Sequence, residues 1–179
     1  MDKLILKLLT NKVPEITENT LVYCFAHNES SLHMIIESLK RYNITSCHII
    51  NNITAMSGIE NSMKVVDFYN KYDISCKLIP FYQYMIHTRN ESEAVIDYVK
   101  QYNYSEIICI APNFHILRAT MTMISVLIDK NMELPCYSIS SQHNNWEAKM
   151  ITHQGETIDS IDKIVDMEFE RIKKYTEKK

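Results

Sequence analysis

Glycine is scarce in this chain of 179 residues, which has only Gly58 and Gly155. The dinucleotide fingerprint GxGxxG and the phosphate loop GxxxxGK[ST] both need closely spaced glycines, because the backbone must approach a phosphate without a Cβ in the way. Two glycines so far apart in the chain build neither motif. The sequence therefore excludes an ordinary NAD fingerprint and a P-loop.

Strong charge and long apolar runs are absent as well. The formal net charge is −3, from 19 basic and 22 acidic residues, and the basic residues are not clustered, which disfavours a nucleic-acid surface. No apolar stretch approaches the roughly 20 residues needed to span a bilayer, and we see no targeting segment. We therefore expect a cytoplasmic protein with a small-molecule ligand, no nucleic acid and no membrane. Whether it forms a homo-oligomer stays open.

Cysteine is present, but no CxxC pair occurs, so a structural zinc site is not expected. Each thiol falls inside a short apolar run that we interpret as a strand. This position predicts buried, reduced and unreactive side chains in a reducing compartment. The five residues are Cys24, Cys47, Cys76, Cys109 and Cys136.

Short apolar runs alternate with helical patterns along the chain. The predicted strands cover 21–26, 46–50, 74–79, 107–111 and 134–139, and the predicted helices cover 2–9, 30–42, 58–72, 90–102, 113–129 and 158–175. This alternation predicts an α/β fold, a three-layer αβα sandwich around a five-stranded, mainly parallel, doubly wound (Rossmann-like) sheet. We expect one domain over 1–179, with its core at about 21–140, an N-terminal helix and a long C-terminal helix.

Two of the predicted helices carry informative patterns. The helix over 113–129 is apolar nearly all round, which predicts a central and well-covered helix. The C-terminal helix is amphipathic, and its predicted apolar side consists of Ile161, Ile164, Val165, Phe169 and Ile172.

Ligands of such sheets bind beyond the carboxyl ends of the strands, near the point where the strand order reverses. The loop after the third predicted strand contains His87, Thr88, Asn90 and Glu91. Thr88 with Glu91 fits the capping box S/T-x-x-E, which predicts a helix start. The functional interpretation is that Thr88 and Asn90 donate hydrogen bonds to a ligand while Glu91 orients it or accepts a proton. Both interpretations can hold together.

The loop after the fourth predicted strand reads APNFHILRA. Asn113 is predicted to cap the following helix, which places His115 in the first turn and Arg118 one turn later on the same side. A helix N-terminus favours anions, and Arg118 adds a planar donor for phosphate or carboxylate. His115 is suited to general acid or base chemistry near neutral pH. The alternative is that His115 only hydrogen-bonds at the helix start and Arg118 forms a salt bridge with Glu91.

Histidines fall in four different predicted loops at strand ends. Converging imidazoles would bind zinc, but spacing does not establish convergence and these loops contain no Asp, so a metal is not expected. His27 and Asn28, after the first predicted strand, are further ligand-binding candidates, as is Asn113 after the fourth. The cofactor is unknown, and a nucleotide- or adenosyl-type ligand fits the predicted site. The four histidines are His27, His87, His115 and His143.

The segments HTRNESEAV and IICIAPNFHILRATM, with the earlier SGIENSMKVVDFYNKYDI, resemble the YdcF-like family of Rossmann-like domains over about residues 21–140. The family pairs a helix start rich in Thr, Asn and Glu with a later HxxRA signature. The resemblance implies that Thr88, Asn90, Glu91, His115 and Arg118 are site positions. The chain departs from the family at 26–28, where AHN replaces a Gly-rich turn, and it lacks the membrane segments that many members carry.

Three functions fit this sequence. The first is an enzyme that hydrolyses or transfers a phosphate- or sugar-linked group of a small anionic or nucleotide-like substrate, with His115 as acid or base and Arg118 holding the anion. The second is a non-catalytic ligand-binding or sensing module. The third is a structural or interaction protein. The first two require the segments around Thr88 and His115 to begin neighbouring helices on one rim and to face a shared cleft.

Overall fold

The computed structural model describes residues 13–25, 29–51, 62–82, 87–141, 150–151, 157–158 and 160–176. The predicted N-terminal helix over 2–9 lies outside these residues. In chain order the described elements are β1 (Thr20–Cys24), α1 (Glu29–Arg41), β2 (Ser46–Ile50), α2 (Ser62–Asn70), β3 (Ser75–Ile79), α3 (Thr88–Tyr102), β4 (Glu106–Pro112), α4 (Asn113–Asp129), β5 (Cys136–Ser141), β6 (Met150–Ile151), β7 (Thr157–Ile158) and α5 (Ile161–Thr176).

Five strands form one sheet in the order β3-β2-β1-β4-β5, and every neighbouring pair is parallel. Parallel neighbours need crossover connections, which α1 to α4 supply. The chain builds outward from β1 through β2 to β3, then returns to add β4 and β5 on the other side. The strand order therefore reverses between β1 and β4. The predicted doubly wound, Rossmann-like sheet is confirmed, and it is parallel throughout.

The side chains of each strand alternate between the two faces of the sheet, so both faces are apolar. Helices cover both of these faces. From β1, Val22 and Cys24 face α1 and α2, whereas Leu21 and Tyr23 face α3 and α4. The inner strands β1, β2 and β4 are buried on both faces, which explains why they read as nearly continuous apolar runs. This arrangement is the predicted three-layer sandwich.

The helix α4 is covered over all but its last turn. Met123 packs fully buried against the sheet, but Ile128 is 68% exposed, and Leu117, Met121 and Ile124 are only partly buried. The expectation of a well-covered helix is confirmed for residues 113–127, none of which is exposed, because α4 packs against α3 and α5 as well as the sheet; its last turn, from Ile128, reaches solvent.

The C-terminal helix begins later than its sequence predicts. Residues 157–158 form β7, which pairs antiparallel with β6, and the helix α5 starts at Ile161. Two-residue strands carry too little periodicity for sequence-based prediction. Through Ile164, α5 packs against Phe114 at the start of α4. No helix within the described ranges has the length and apolar character required to cross a bilayer.

All five cysteines are free thiols, and three of them are buried. Cys76 and Cys136 are partly exposed, which corrects the expectation that every thiol is buried. The reason is the strand order, because these two residues lie on β3 and β5, the edge strands of the sheet. An edge strand has a neighbouring strand on one side only, so its side chains are less well covered.

Candidate functional site

Two helix starts meet at the edge of the sheet where the strand order reverses. The helix α4 follows β4 without a loop, and Arg118 lies in its second turn. Its Nη1 donates a hydrogen bond to Oγ1 of Thr88, the first residue of α3, at 2.6 Å. The segments around Thr88 and Arg118 are therefore neighbours.

A carboxylate from the C-terminal helix completes this cluster. Glu168 on α5 accepts hydrogen bonds from Nε of Arg118 and, at 3.1 Å, from its Nη2. Nη1 of Arg171 donates to the same carboxylate at 2.6 Å. The salt bridge between Arg118 and Glu91 that we considered is thus replaced by a bidentate pair with Glu168, the stronger type of ionic hydrogen bond. We refer to Thr88, His115, Arg118, Glu168 and Arg171 as the switch-point cluster.

His115 lies inside the cluster and is 1% exposed. Its Nδ1 is 3.3 Å from Oε2 of Glu168 and 3.1 Å from Nη2 of Arg118. A guanidinium only donates, so Nδ1 accepts when it bonds to Arg118, and the ring proton is then on Nε2. A proton on Nδ1 is instead donated to Glu168. The ring also packs edge-on against Phe25, with centroids 5.9 Å apart.

The charge of the cluster follows from these contacts. Burial acts to raise the pKa of Glu168, but hydrogen bonds from His115 and Arg118 outweigh it and hold this pKa well below its usual range. Glu168 is therefore ionised at neutral pH. Two guanidinium groups surround this one carboxylate, so Arg118, Arg171 and Glu168 together carry one excess positive charge.

Glu91 lies one turn after Thr88 on α3 and is 3% exposed. The hydroxyl of Tyr23 donates to Oε1 of Glu91 at 2.6 Å, whereas Oε2 accepts no hydrogen bond from the described part of the chain. Burial raises the pKa of Glu91 to about 7, although the Tyr23 hydrogen bond and the charge of Arg118 act to lower it. Glu91 consequently exchanges its proton in the neutral range.

The start of α3 differs by one residue from the predicted capping box. His87 is the N-cap, and its backbone N–H donates to Oδ1 of Asn90 at 2.7 Å. The predicted pairing of Thr88 with Glu91 is wrong, because the helix begins at Thr88 and both residues lie within it. Asn90, predicted as a ligand donor, turns its oxygen to the helix start.

The start of α4 is also shifted relative to the prediction. Pro112, with the extended ψ of 147°, is the N-cap, and Asn113 is the first helical residue. Oδ1 of Asn113 accepts the neighbouring Phe114 N–H at 2.9 Å. The prediction of Asn113 as the N-cap is wrong, because β4 continues through Pro112.

Several candidates fall outside the described residues, namely His27, Asn28 and His143. Of the remaining loop histidines, His87 is exposed and His115 is buried. Within the ranges that the structure describes, no three His, Cys, Asp or Glu side chains are grouped to hold a metal ion.

Sequence reasoning missed Glu168, Arg171 and Tyr23. The sequence indicated that Arg118 has an acidic partner, since a cation inside an apolar helix needs a counter-ion. Nothing in the local pattern indicated that this partner comes from α5. Tyr23 lies within a predicted strand, where an aromatic side chain is ordinary core material. The arrangement brings together guanidinium donors, which bond to Glu168, and two titratable groups, His115 and Glu91, which are both buried from solvent rather than open to the expected cleft.

The comparisons with known proteins add little to this geometry. No family model matches the chain. No curated protein matches it significantly. Among solved structures the chain is similar to the crystal structure of an isoflavone reductase, with 16% identity and a TM-score of 0.42. The match covers 90% of this chain and 46% of that chain, so the present chain spans less than half of that reductase.

Proposed function

We propose that the switch-point cluster binds a small anionic, nucleotide-like ligand, and that the protein hydrolyses or transfers a phosphate- or sugar-linked group of this ligand. The observation that carries the proposal is the excess positive charge that Arg118 and Arg171 leave around Glu168. Both guanidinium groups share this single counter-ion, so the three side chains keep one positive charge that an anionic ligand would neutralise.

Binding would use the guanidinium groups of Arg118, in the second turn of α4, and of Arg171 on α5. Planar guanidinium donors match the oxygens of phosphate, and a helix N-terminus adds backbone N–H groups and a favourable dipole. Arg118 is held in orientation by Thr88 and Glu168. The side chain of Arg171 is 30% exposed and gives a dissolved anion its first contact.

Proton transfer would use His115, with Glu91 as the second titrating group. A carboxyl whose pKa is close to 7 exchanges protons at neutral pH, as general acid–base catalysis requires. Aromatic rings hold these groups in place, since Tyr23 bonds to Glu91 and packs on Phe25 at 4.7 Å, and Phe25 packs on His115. A rigid support of this kind is what a proton-transfer site needs.

We also propose that the chain is a member of the YdcF-like family and acts in the cytoplasm. The two segments that carry the resemblance contact each other through Thr88 and Arg118, which supports a shared site.

A thermal-shift screen of nucleotides, adenosyl compounds and sugar phosphates tests the binding proposal. A ligand at a hundred times its dissociation constant stabilises by about 2.7 kcal/mol, which raises the Tm of a domain of this size by about 5 to 10 °C. We expect this shift in wild type and in the control Arg89→Gln, which removes an exposed arginine, but not in Arg118→Gln. The proposal fails if no compound raises the Tm, or if Arg118→Gln responds like wild type.

A binding or sensing module without chemistry is the second candidate, and the burial of His115 favours it. The variant His115→Ala separates the two candidates. If the protein is an enzyme, this variant loses about a hundredfold or more in turnover, well beyond any loss of ligand affinity. A ligand that binds wild type without any turnover, and binds His115→Ala more weakly, identifies a module.

A further inference from the structure

The carboxylate of Glu168 receives the contacts that a bound anion would receive. Its two oxygens accept from Nε and Nη2 of Arg118 and from Nη1 of Arg171, and Nδ1 of His115 lies within hydrogen-bond distance. A small anion at the start of α4 would find these same donors. Glu168 thus lies in the position that the proposed function assigns to the ligand.

We propose that Glu168 is an internal anionic ligand, which occupies the anion position between Arg118 and Arg171 and leaves it when a phosphate-bearing ligand binds. This inference rests on the proposed function and names the group that regulates access to the site. It also selects a ligand class, namely phosphate monoesters that carry two negative charges.

Charge matching favours such a dianion over Glu168. The two guanidinium groups carry two positive charges, of which a carboxylate neutralises one. A phosphate dianion neutralises both and offers three oxygens to the donors that now share two. A monocarboxylate such as acetate repeats the contacts of Glu168 without adding charge, so it gains nothing by replacing it.

The carboxylate can leave its position while α5 stays docked. Ile164 and Ile172 lie one turn before and one turn after Glu168, and both are buried. Ile164 packs against Phe114 of α4. These apolar contacts hold the helix independently of the ion pairs. A released carboxylate regains its hydration, which offsets much of the lost attraction, because the desolvation cost of a buried ion pair is comparable to its Coulomb gain.

Isothermal titration of the full chain with inorganic phosphate tests the inference. Glu168→Gln removes the competing charge and keeps the side-chain shape, and Glu170→Gln is the matched control, since Glu170 is exposed on the same helix. We expect Glu168→Gln to bind phosphate about tenfold more tightly than wild type, the equivalent of one charge-assisted hydrogen bond. Glu170→Gln should bind as wild type does. The gain should disappear in Glu168→Gln combined with Arg118→Gln.

Each outcome separates this inference from the proposed function. If wild type binds phosphate and Glu168→Gln binds it equally or more weakly, Glu168 is not an internal ligand, while the anion site survives. If neither protein binds phosphate, this inference is overturned, while the proposed function is still judged by the nucleotides and sugar phosphates of the thermal-shift screen. Should Glu168→Gln fail to fold, Glu168→Asp keeps the charge and shortens its reach. It should bind phosphate about threefold more tightly, and weaker binding by this variant overturns the inference.

Discussion

Replacing Glu91 by Gln should change how the stability of the protein depends on pH. Glu91 is buried and accepts a hydrogen bond from Tyr23, and its pKa in the folded chain is about 7 rather than the usual 4.5. The folded state therefore keeps a proton that the unfolded chain releases. Gln has the same shape and can accept the same hydrogen bond, but it cannot ionise.

The magnitude follows from the difference between the two pKa values. Below pH 4.5 both states hold the proton, and the stability that neutral Glu91 contributes is fully present. As the pH rises from 4.5 through 7 this contribution is lost, because the unfolded chain releases the proton while the folded chain still holds it, and above 7 the loss is complete. The two pKa values differ by 2.5 (7 minus 4.5), which corresponds to about 3 kcal/mol of stability. Solvent does not screen this effect, because Glu91 is buried.

Urea unfolding followed by circular dichroism at about pH 5 and about pH 8.5 measures this effect. Between these two pH values the stability of Glu91→Gln should rise relative to wild type by about 2 to 3 kcal/mol. Other titrating groups cancel, since they are common to both proteins. Glu93→Gln, which changes a half-exposed carboxylate of the same helix, should stay within about 0.5 kcal/mol of a constant difference.

Parallel pH profiles for Glu91→Gln and wild type would refute this reasoning. They would mean that Glu91 ionises as easily in the folded chain as in water. Its role as a group that exchanges protons at neutral pH would then be lost, whereas anion binding by Arg118 would be unaffected.

Two further substitutions test neighbouring contacts. Tyr23→Phe removes the hydrogen bond that lowers the pKa of Glu91, so this pKa should rise further, and unfolding at about pH 8.5 should show a loss of about 1 to 3 kcal/mol that shrinks at about pH 5. An equal loss at both pH values would contradict the pKa argument. Arg89→Ala removes exposed ion pairs with Glu93 and Asp129 and should cost less than about 1 kcal/mol in the same assay. A larger loss would mean that Arg89 supports the start of α3.

Much of the fold was predictable from the sequence, because the inner strands β1, β2 and β4 are buried on both faces and read as apolar runs. The order of the strands was not, since periodicity says nothing about which strands lie at the edges. The error over Cys76 and Cys136 follows from this. The neighbourhood of Thr88 and Arg118 was predictable because helices that follow parallel strands begin at the same edge of a sheet.

The register of α5 shows why part of the site was not predictable. The predicted apolar side placed Phe169 inward, yet Phe169 is 47% exposed and its neighbour Glu168 is buried. Hydrophobic periodicity predicts that a glutamate in this helix faces solvent. Glu168 is buried instead, because it pairs with Arg118, which lies 50 residues earlier in the chain. A contact between distant charged residues leaves no trace in the local pattern of either helix.

The distribution of thiols over the sheet has a practical consequence. Cys24, Cys47 and Cys76 lie beneath α1 and α2, whereas Cys109 and Cys136 lie beneath α3 and α4. Alkylation of a buried thiol requires the covering helices to separate from the sheet. Mass spectrometry of the alkylated peptides would therefore time the detachment of each helical layer separately, with native residues as the reporters.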